Sequence, residues 1–277
     1  MFDPYSDLLL MEEAARLAGA AIMRHFQLGE PLSAHLRLMD KGHNNPLTQA
    51  DLAADQCLRQ TLLGNRPDYG WLSEEGTDDP VARMERQRVW IVDPMDGTKE
   101  FISGLPQFAV SIGLVERGSP VAACIFNPAT RELFSAVRGG GAFCNGQRLQ
   151  TSRNASLQGA RCLASRSETK RGEWRSFAQA LHITPMGSIA YKLALVASGR
   201  YDLTFTLTPK NEWDYCAGTL LLQEAGGRVS HKEGQPCLFN QKDPKVLSVL
   251  ASNGPLHEPL LLSLEQTPLS PDRQAVA

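Results

Sequence analysis

A layered α+β / α/β architecture is expected from three observations. Helical periodicity opens the chain, consecutive apolar runs separated by tight turns fill residues 69–146, and strands alternate with helices beyond residue 150. The expected organisation is an N-terminal α+β half over residues 1–150, carrying an antiparallel sheet and the acidic motifs, followed by an α/β half over 151–265. Residues 266–277, with Pro268, Ser270 and Pro271, are expected to form a disordered tail.

Residues 6–26 place Leu9, Leu10, Ala14, Leu17, Ala18, Ala21 and Ile22 at helical spacing, an amphipathic helix closed near Gly29-Glu30-Pro31. Residues 35–47 are polar and turn-rich and read as a flexible loop. Thr48 can cap a second helix whose period runs through Leu52, Ala53, Leu58 and Leu62. Apolar runs at 108–115, 121–127 and 132–137, joined by Gly118-Ser119-Pro120 and Asn127-Pro128-Ala129-Thr130, predict an antiparallel meander. Gly139-Gly140-Gly141 could suggest a phosphate cradle. No strand-Gly-Lys-helix context follows it, and with Asn145-Gly146 just beyond it reads as a hairpin. Later segments predict strands at 161–165, 201–207 and 246–251 and helices at 170–181, 189–198 and 213–225.

Composition narrows the function classes. Against 30 Asp+Glu stand 28 Lys+Arg, a net charge of -2, so no global field draws the protein to a nucleic acid polymer or a membrane. The six cysteines form no CxxC pair or metal spacing, and the start lacks a basic region followed by an apolar one, which points to a reducing cytoplasm. No apolar run approaches the length of a bilayer span.

The chemistry concentrates at residues 90–101, WIVDPMDGTKEF. Val89 to Val92 are residues of a buried strand, and Pro94, lacking an N–H, is expected to end it at Asp93. Asp93 and Asp96 then lie on a compact loop with the Met95 carbonyl beside them, hard oxygen donors suited to Mg²⁺. The amides of Gly97 and Thr98, at the start of a helical segment, can face a phosphate. Taken singly, each acid has an ordinary explanation. Asp-Gly is a common turn former, Asp51 suits the dipole of a first helical turn, Glu74-Glu75 could be a solvated pair, and Asp214 a helix-start residue.

Their order along the chain changes that weighting. DPMDGT after an apolar strand resembles the DPxDGT signature of the inositol monophosphatase superfamily. Trp71-Leu72-Ser73-Glu74-Glu75-Gly76 upstream is similar to that family's strand-ending Glu-Glu segment, and Glu212 to Gly218 with Glu224-Ala225-Gly226-Gly227 to its WDxAAG and EAGG segments. The resemblance implies a layered αβαβα sugar-phosphatase fold and a lithium-sensitive, Mg²⁺-dependent phosphomonoesterase with two or three ions per site. It implies Glu74, Asp93, the Met95 carbonyl, Asp96 and Asp214 as metal ligands, Asp51 and Thr98 as the groups orienting a metal-activated water, and Gly97 and Thr98 amides as phosphate donors. A regulatory binding protein is the non-enzymatic alternative. A homodimer is compatible with the family.

The substrate is expected to be a small phosphorylated metabolite. Seven residues before Asp214, where inositol-selective members carry a glutamate, this chain has Leu207, which cannot accept a bond from a ring hydroxyl. Lys99-Glu100-Phe101, Ser165-Arg166-Ser167 and Gly187-Ser188 with Lys192 resemble the 3′(2′),5′-bisphosphate nucleotidase (CysQ-type) branch, with Arg166, Ser188, Lys192 and Lys210 as substrate contacts. The stretch from Leu105 to Phe108 is more like the inositol branch. Removal of the 3′-phosphate of adenosine 3′,5′-bisphosphate is therefore expected, with inositol 1-phosphate or histidinol phosphate as alternatives.

Overall fold

The computed structural model describes residues 3–33, 37–40 and 46–270. Helix α1 (Pro4–Met23) starts at Asp3, whose carboxylate accepts from the Tyr5 amide, with Pro4 in the first turn where no N–H is needed. Its buried stripe is Leu10, Met11, Ala14, Ala15, Ala18 and Ile22; the expected members Leu9 and Leu17 face outward. Within the segment expected to be a loop, β1 (Arg37–Asp40) and β2 (Pro46–Thr48) pair antiparallel, while residues 34–36 and 41–45 lie outside the described residues. Helix α2 (Gln49–Asn65) begins as expected at Thr48, whose hydroxyl accepts from the Ala50 amide.

Next come β3 (Gly70–Ser73), α3 (Pro80–Met84), β4 (Arg88–Asp96), α4 (Thr98–Ile102), β5 (Ala109–Glu116), β6 (Ser119–Asn127), β7 (Glu132–Val137), β8 (Gly141–Cys144) and β9 (Gln147–Arg148). The seven strands from β3 to β9 form one sheet in sequence order, with β3 parallel to β4 and every later neighbour antiparallel. Strand β4 does not stop at Asp93 as Pro94 suggested. It runs to Asp96 through an irregularity between the pairs Asp93↔Ser111 and Asp96↔Ala109, and a bulge is where a ladder tolerates proline.

The second half supplies β10 (Ala160–Ser165), α5 (Arg166–Lys170), β11 (Leu181–Met186), α6 (Ile189–Ala197), β12 (Leu203–Thr206), β13 (Lys210–Asn211), α7 (Glu212–Glu224), β14 (Arg228–Ser230), β15 (Lys245–Val246), β16 (Val249–Ser252) and α8 (His257–Leu264). Its five-stranded sheet has the order β11-β10-β12-β16-β14, with β11 and β12 parallel to β10 and β16 antiparallel to both its neighbours. The helix expected over 170–181 is absent: Gly172, at φ +82°, takes the chain out of α5, a 3-10 turn follows at Arg175–Phe177, and Leu181 enters an edge strand.

Three buried clusters set the layers. Helices α1 and α2 cover one face of the seven-stranded sheet around Leu58, Trp90 and Val110, whereas α6 and α7 fill the space between the two sheets around Leu193, Tyr215 and Leu221. On the outer face of the five-stranded sheet, Leu256 just before α8 and Leu260 and Leu264 within it pack with Trp174 and Phe205. This is the αβαβα layering expected from the motifs. The segment after α8 is placed as far as Ser270, whose amide donates to the Leu207 carbonyl at 2.8 Å, so the expected disorder does not begin at residue 266; residues 271–277 lie outside the described residues.

Candidate active site

The acidic residues gather where β3 and β4 end and α7 begins. Glu74, Asp93, Met95, Asp96, Gly97, Thr98 and Asp214 line a cavity of about 240 Å³ together with Arg166, Ser188, Lys192 and Lys210. Asp93 is 1% exposed and its Oδ1 accepts from the Met95 amide at 2.9 Å, which fixes the carboxylate against the bulged end of β4. Gly97 follows at φ +104°, and a Cβ there would lie 2.6 Å from the Gln107 carbonyl oxygen. Only glycine allows this turn between strand and helix.

Asp214 lies in the first turn of α7, where its Oδ2 accepts from the Asn211 amide at 3.0 Å. Asp96 Oδ2 accepts from Ser188 Oγ at 2.8 Å and from the Ala190 amide at 2.7 Å. Ser188 has φ +54° and also caps α6 by accepting from the Tyr191 amide at 3.0 Å, so it positions Asp96. Asp51 stands behind the cavity. Its Oδ2 accepts from the Thr48 amide and hydroxyl at 2.8 and 2.5 Å, leaving Oδ1 to accept from Thr98 Oγ1 at 2.9 Å.

Electrostatics mark this cluster as unusual. Burial pushes the Asp93 carboxyl well above its ordinary range, and the charges of Glu74, Asp96 and Asp214 push it further. Burial likewise takes Asp214 up to about 7, with Asp96 and Glu74 adding to the shift and Lys210 opposing it. Asp51 is raised to about 6, chiefly by burial against the pull of its bonds from Thr48 and Thr98. All the donors are oxygens, the chemistry that selects a hard divalent cation over Zn²⁺ or copper. Among the described residues no three His, Cys, Asp or Glu side chains are already drawn together as an ion cage. The fit to Mg²⁺ therefore rests on donor chemistry and on the mutual repulsion of the clustered acids.

Other expected contacts fall differently. Leu207 is buried in the outer cluster with Trp174 and Phe205 and does not line the cavity; Pro209, Lys210 and Asn211 bound that side instead. Lys192 is 3% exposed; burial lowers its pKa, while Glu168 and Asp96 favour its charge. Arg166 is more open, with Nε 3.9 Å from Glu100 Oε1. Glu100 also belongs to the wall. Its place in the Lys99-Glu100-Phe101 segment was the signal available in sequence, although no role was assigned to it. A Cβ on Gly187 would overlap its carboxylate, so Gly187 is what leaves room for it. The glycine run does not bind a phosphate: Gly139 and Gly141 amides donate to the two oxygens of Glu224, each at 2.8 Å.

Fold and cavity together define a phosphatase of the layered αβαβα class. A family profile, the inositol monophosphatase family, matches residues 6–268, and the chain belongs to that family. It is 38% identical to an inositol-1-monophosphatase of Rhizobium meliloti (strain 1021), over 82% of this chain and 86% of the relative. The crystal structure of the extragenic suppressor protein suhB from Bartonella henselae superposes with a TM-score of 0.82 at 33% identity, covering 95% of this chain and 99% of that one. CysQ from Bacteroides thetaiotaomicron, a bacterial member of the family, gives 0.72 at 28% identity, over 89% and 97%. Magnesium dependence and lithium sensitivity are general traits of this family. Among the described residues no helix is long and apolar enough to cross a membrane.

Proposed function

We propose that the protein hydrolyses a phosphomonoester at this cavity with Mg²⁺, and that its preferred substrate is adenosine 3′,5′-bisphosphate, losing the 3′-phosphate. The observation that carries the hydrolytic reading is that Glu74, Asp93, Asp96 and Asp214 share one cavity with Thr98, whose hydroxyl is hydrogen-bonded to Asp51. Glu74, Asp93, the Met95 carbonyl, Asp96 and Asp214 would hold the ion. Bound there, Mg²⁺ would supply Lewis-acid chemistry, making a water more acidic and offsetting charge on the departing oxygen.

The chain's own groups do the rest. With its proton donated to Asp51 Oδ1, Thr98 Oγ1 turns a lone pair outward, where it can accept from the attacking water and aim it at phosphorus. Thr48 keeps Asp51 in place through two bonds to the other oxygen, so the acceptor is ordered before substrate arrives. The amides of Gly97 and Thr98, at the start of α4, face the phosphate oxygens. The water oxygen ends bonded to phosphorus, the bond from phosphorus to the leaving oxygen breaks, and one proton of that water ends on the leaving oxygen, so the reaction balances with one water consumed.

Arg166, Lys192 and Lys210 line the same cavity as the acids, and Arg166, exposed and only loosely paired with Glu100, supports a substrate bearing a second anion, as does the likeness to CysQ. The competing reading, inositol 1-phosphate, is favoured by the name and 38% identity of the Rhizobium relative. Comparison of kcat/KM for adenosine 3′,5′-bisphosphate, inositol 1-phosphate and histidinol phosphate in one Mg²⁺ buffer separates them. A roughly tenfold to hundredfold preference for the bisphosphate is expected from one charge-assisted phosphate contact. If inositol 1-phosphate is the best of the three, the inositol phosphatase reading replaces this one.

A further inference from the structure

A second cavity, about 560 Å³, opens beside the catalytic one and shares Lys99, Glu100, Arg166 and Ser167 with it. Lys170, with Thr169 and Pro185, lines this cavity but not the catalytic one. Three of its lining side chains are cationic and a single one, Glu100, is anionic.

Lys192 and Lys210, which line the catalytic cavity together with the acids, have a different setting. Lys192 is buried among Glu168, Lys210 and Asp96. Glu168 is itself buried and accepts from Trp174 Nε1 at 3.0 Å and Thr206 Oγ1 at 2.7 Å; burial raises its pKa, but Lys210, Lys192 and these bonds outweigh that and keep it ionised. A substrate anion reaching Lys192 or Lys210 would compete with acids the fold has already placed there. Arg166 and Lys170, by contrast, are exposed and four residues apart on α5, which puts them on one helical face. Two like charges so spaced disfavour each other, and an anion between them removes that repulsion. The 3.9 Å pair of Arg166 with Glu100 is loose enough for an incoming phosphate to displace.

We infer that this second cavity seats a distal phosphate of the leaving group, with Arg166 and Lys170 as its ligands, and that Lys192 and Lys210 are counterions of protein acids. The inference rests on the bisphosphate reading above and names the residues that recognise the second phosphate. The test compares kcat/KM for adenosine 3′,5′-bisphosphate with that for adenosine 3′-phosphate in the wild type and in Lys170→Ala, Lys170→Glu, Arg166→Ala and Lys210→Met. The ratio is expected to fall roughly three- to tenfold in Lys170→Ala and further in Lys170→Glu, through KM, with the loss shrinking as salt is added. In Lys210→Met both substrates should slow together and the ratio hold. Calorimetric binding of adenosine 3′,5′-bisphosphate gives the same comparison without turnover. A ratio and affinity unchanged in Lys170→Glu and Arg166→Ala but lost in Lys210→Met overturn the inference and leave the bisphosphate reading standing. A wild-type ratio near one, with equal affinities, overturns both.

Discussion

Carboxylates are buried in two contrasting ways in this protein. Asp7, 1% exposed, accepts from Arg66 Nε at 2.7 Å, Arg88 Nη1 at 2.6 Å and the Tyr69 hydroxyl at 3.0 Å. Asp202, 2% exposed, accepts from Arg161 Nη2 at 2.6 Å, Ser152 Oγ at 2.7 Å and the Arg161 amide at 2.8 Å; burial alone would raise its pKa, but these donors bring it down to about 2. Asp93 is as deeply buried as Asp7, yet its neighbours are Glu74, Asp96 and Asp214, and its pKa moves up where that of Asp202 moves down. A buried acid that brings its cation stabilises the fold. One placed among other acids opposes folding until a cation arrives from solution.

Breaking each arrangement should give opposite signatures. Asp93→Asn should cost more in kcat/KM than the roughly 10- to 100-fold typical of losing a group outside the ligand set, while raising the melting temperature of the metal-free protein by relieving repulsion. Near-normal turnover would remove Asp93 from the site. Asp202→Asn should do the reverse, costing about 1 to 3 kcal/mol in chemical denaturation with kcat unchanged, because it weakens the bonds from Ser152, Asn154 and the half-exposed Arg161. Equal stability would mean that the bonds around Asp202 are incidental.

Mg²⁺ sharpens the contrast further. At a hundredfold excess over its dissociation constant it should add about 2.7 kcal/mol, read as a rise in melting temperature that EDTA reverses and Asp93→Asn abolishes. A gain that survives in that variant would place the ion elsewhere. A last effect, spread over a range of pH, concerns a buried base. His257, between Ser230 Oγ and Ser252 Oγ, is held by burial at a pKa of about 4, with Arg228 lowering it further and Glu258 opposing. The unfolded state therefore binds the extra proton between pH 6.5 and 4, so stability is full above 6.5 and declines toward 4, by at most about 3 kcal/mol. His257→Gln should flatten that slope in urea titrations; an unchanged slope would assign it to other groups.

Sequence and structure agree most closely where one residue type serves two demands. Thr48 with Asp51 was legible because a helix cap and a phosphate site use the same residues, and DPMDGT because Gly97 has a steric reason to be glycine. The continuation of β4 past Pro94 was not legible, since a bulge depends on the partner strand β5. The helix expected at 170–181 failed because Gly172 outweighs the surrounding periodicity, and Leu207 misled because spacing along the chain does not say which cavity a side chain meets. Lys170 carried no motif. Its place beside Arg166 emerges only once α5 is known to be a helix.

Helix α7 runs about 15 Å from Asp214 at the catalytic cavity to Glu224, which receives the amides of the β7–β8 turn. It is encoded after residue 150 but lies on the sheet encoded before it, and so closely that a Cβ on Gly113 would come 2.6 Å from Cys216 Sγ. A gene cut at residue 150 would yield a sheet stripped of one cover. Recombination between relatives faces the same constraint, because a crossover near the midpoint separates Gly113 from the helix that needs it bare. Lineages of this fold should therefore inherit β5 and α7 as a linked pair, exchanging sequence freely only outside that interval.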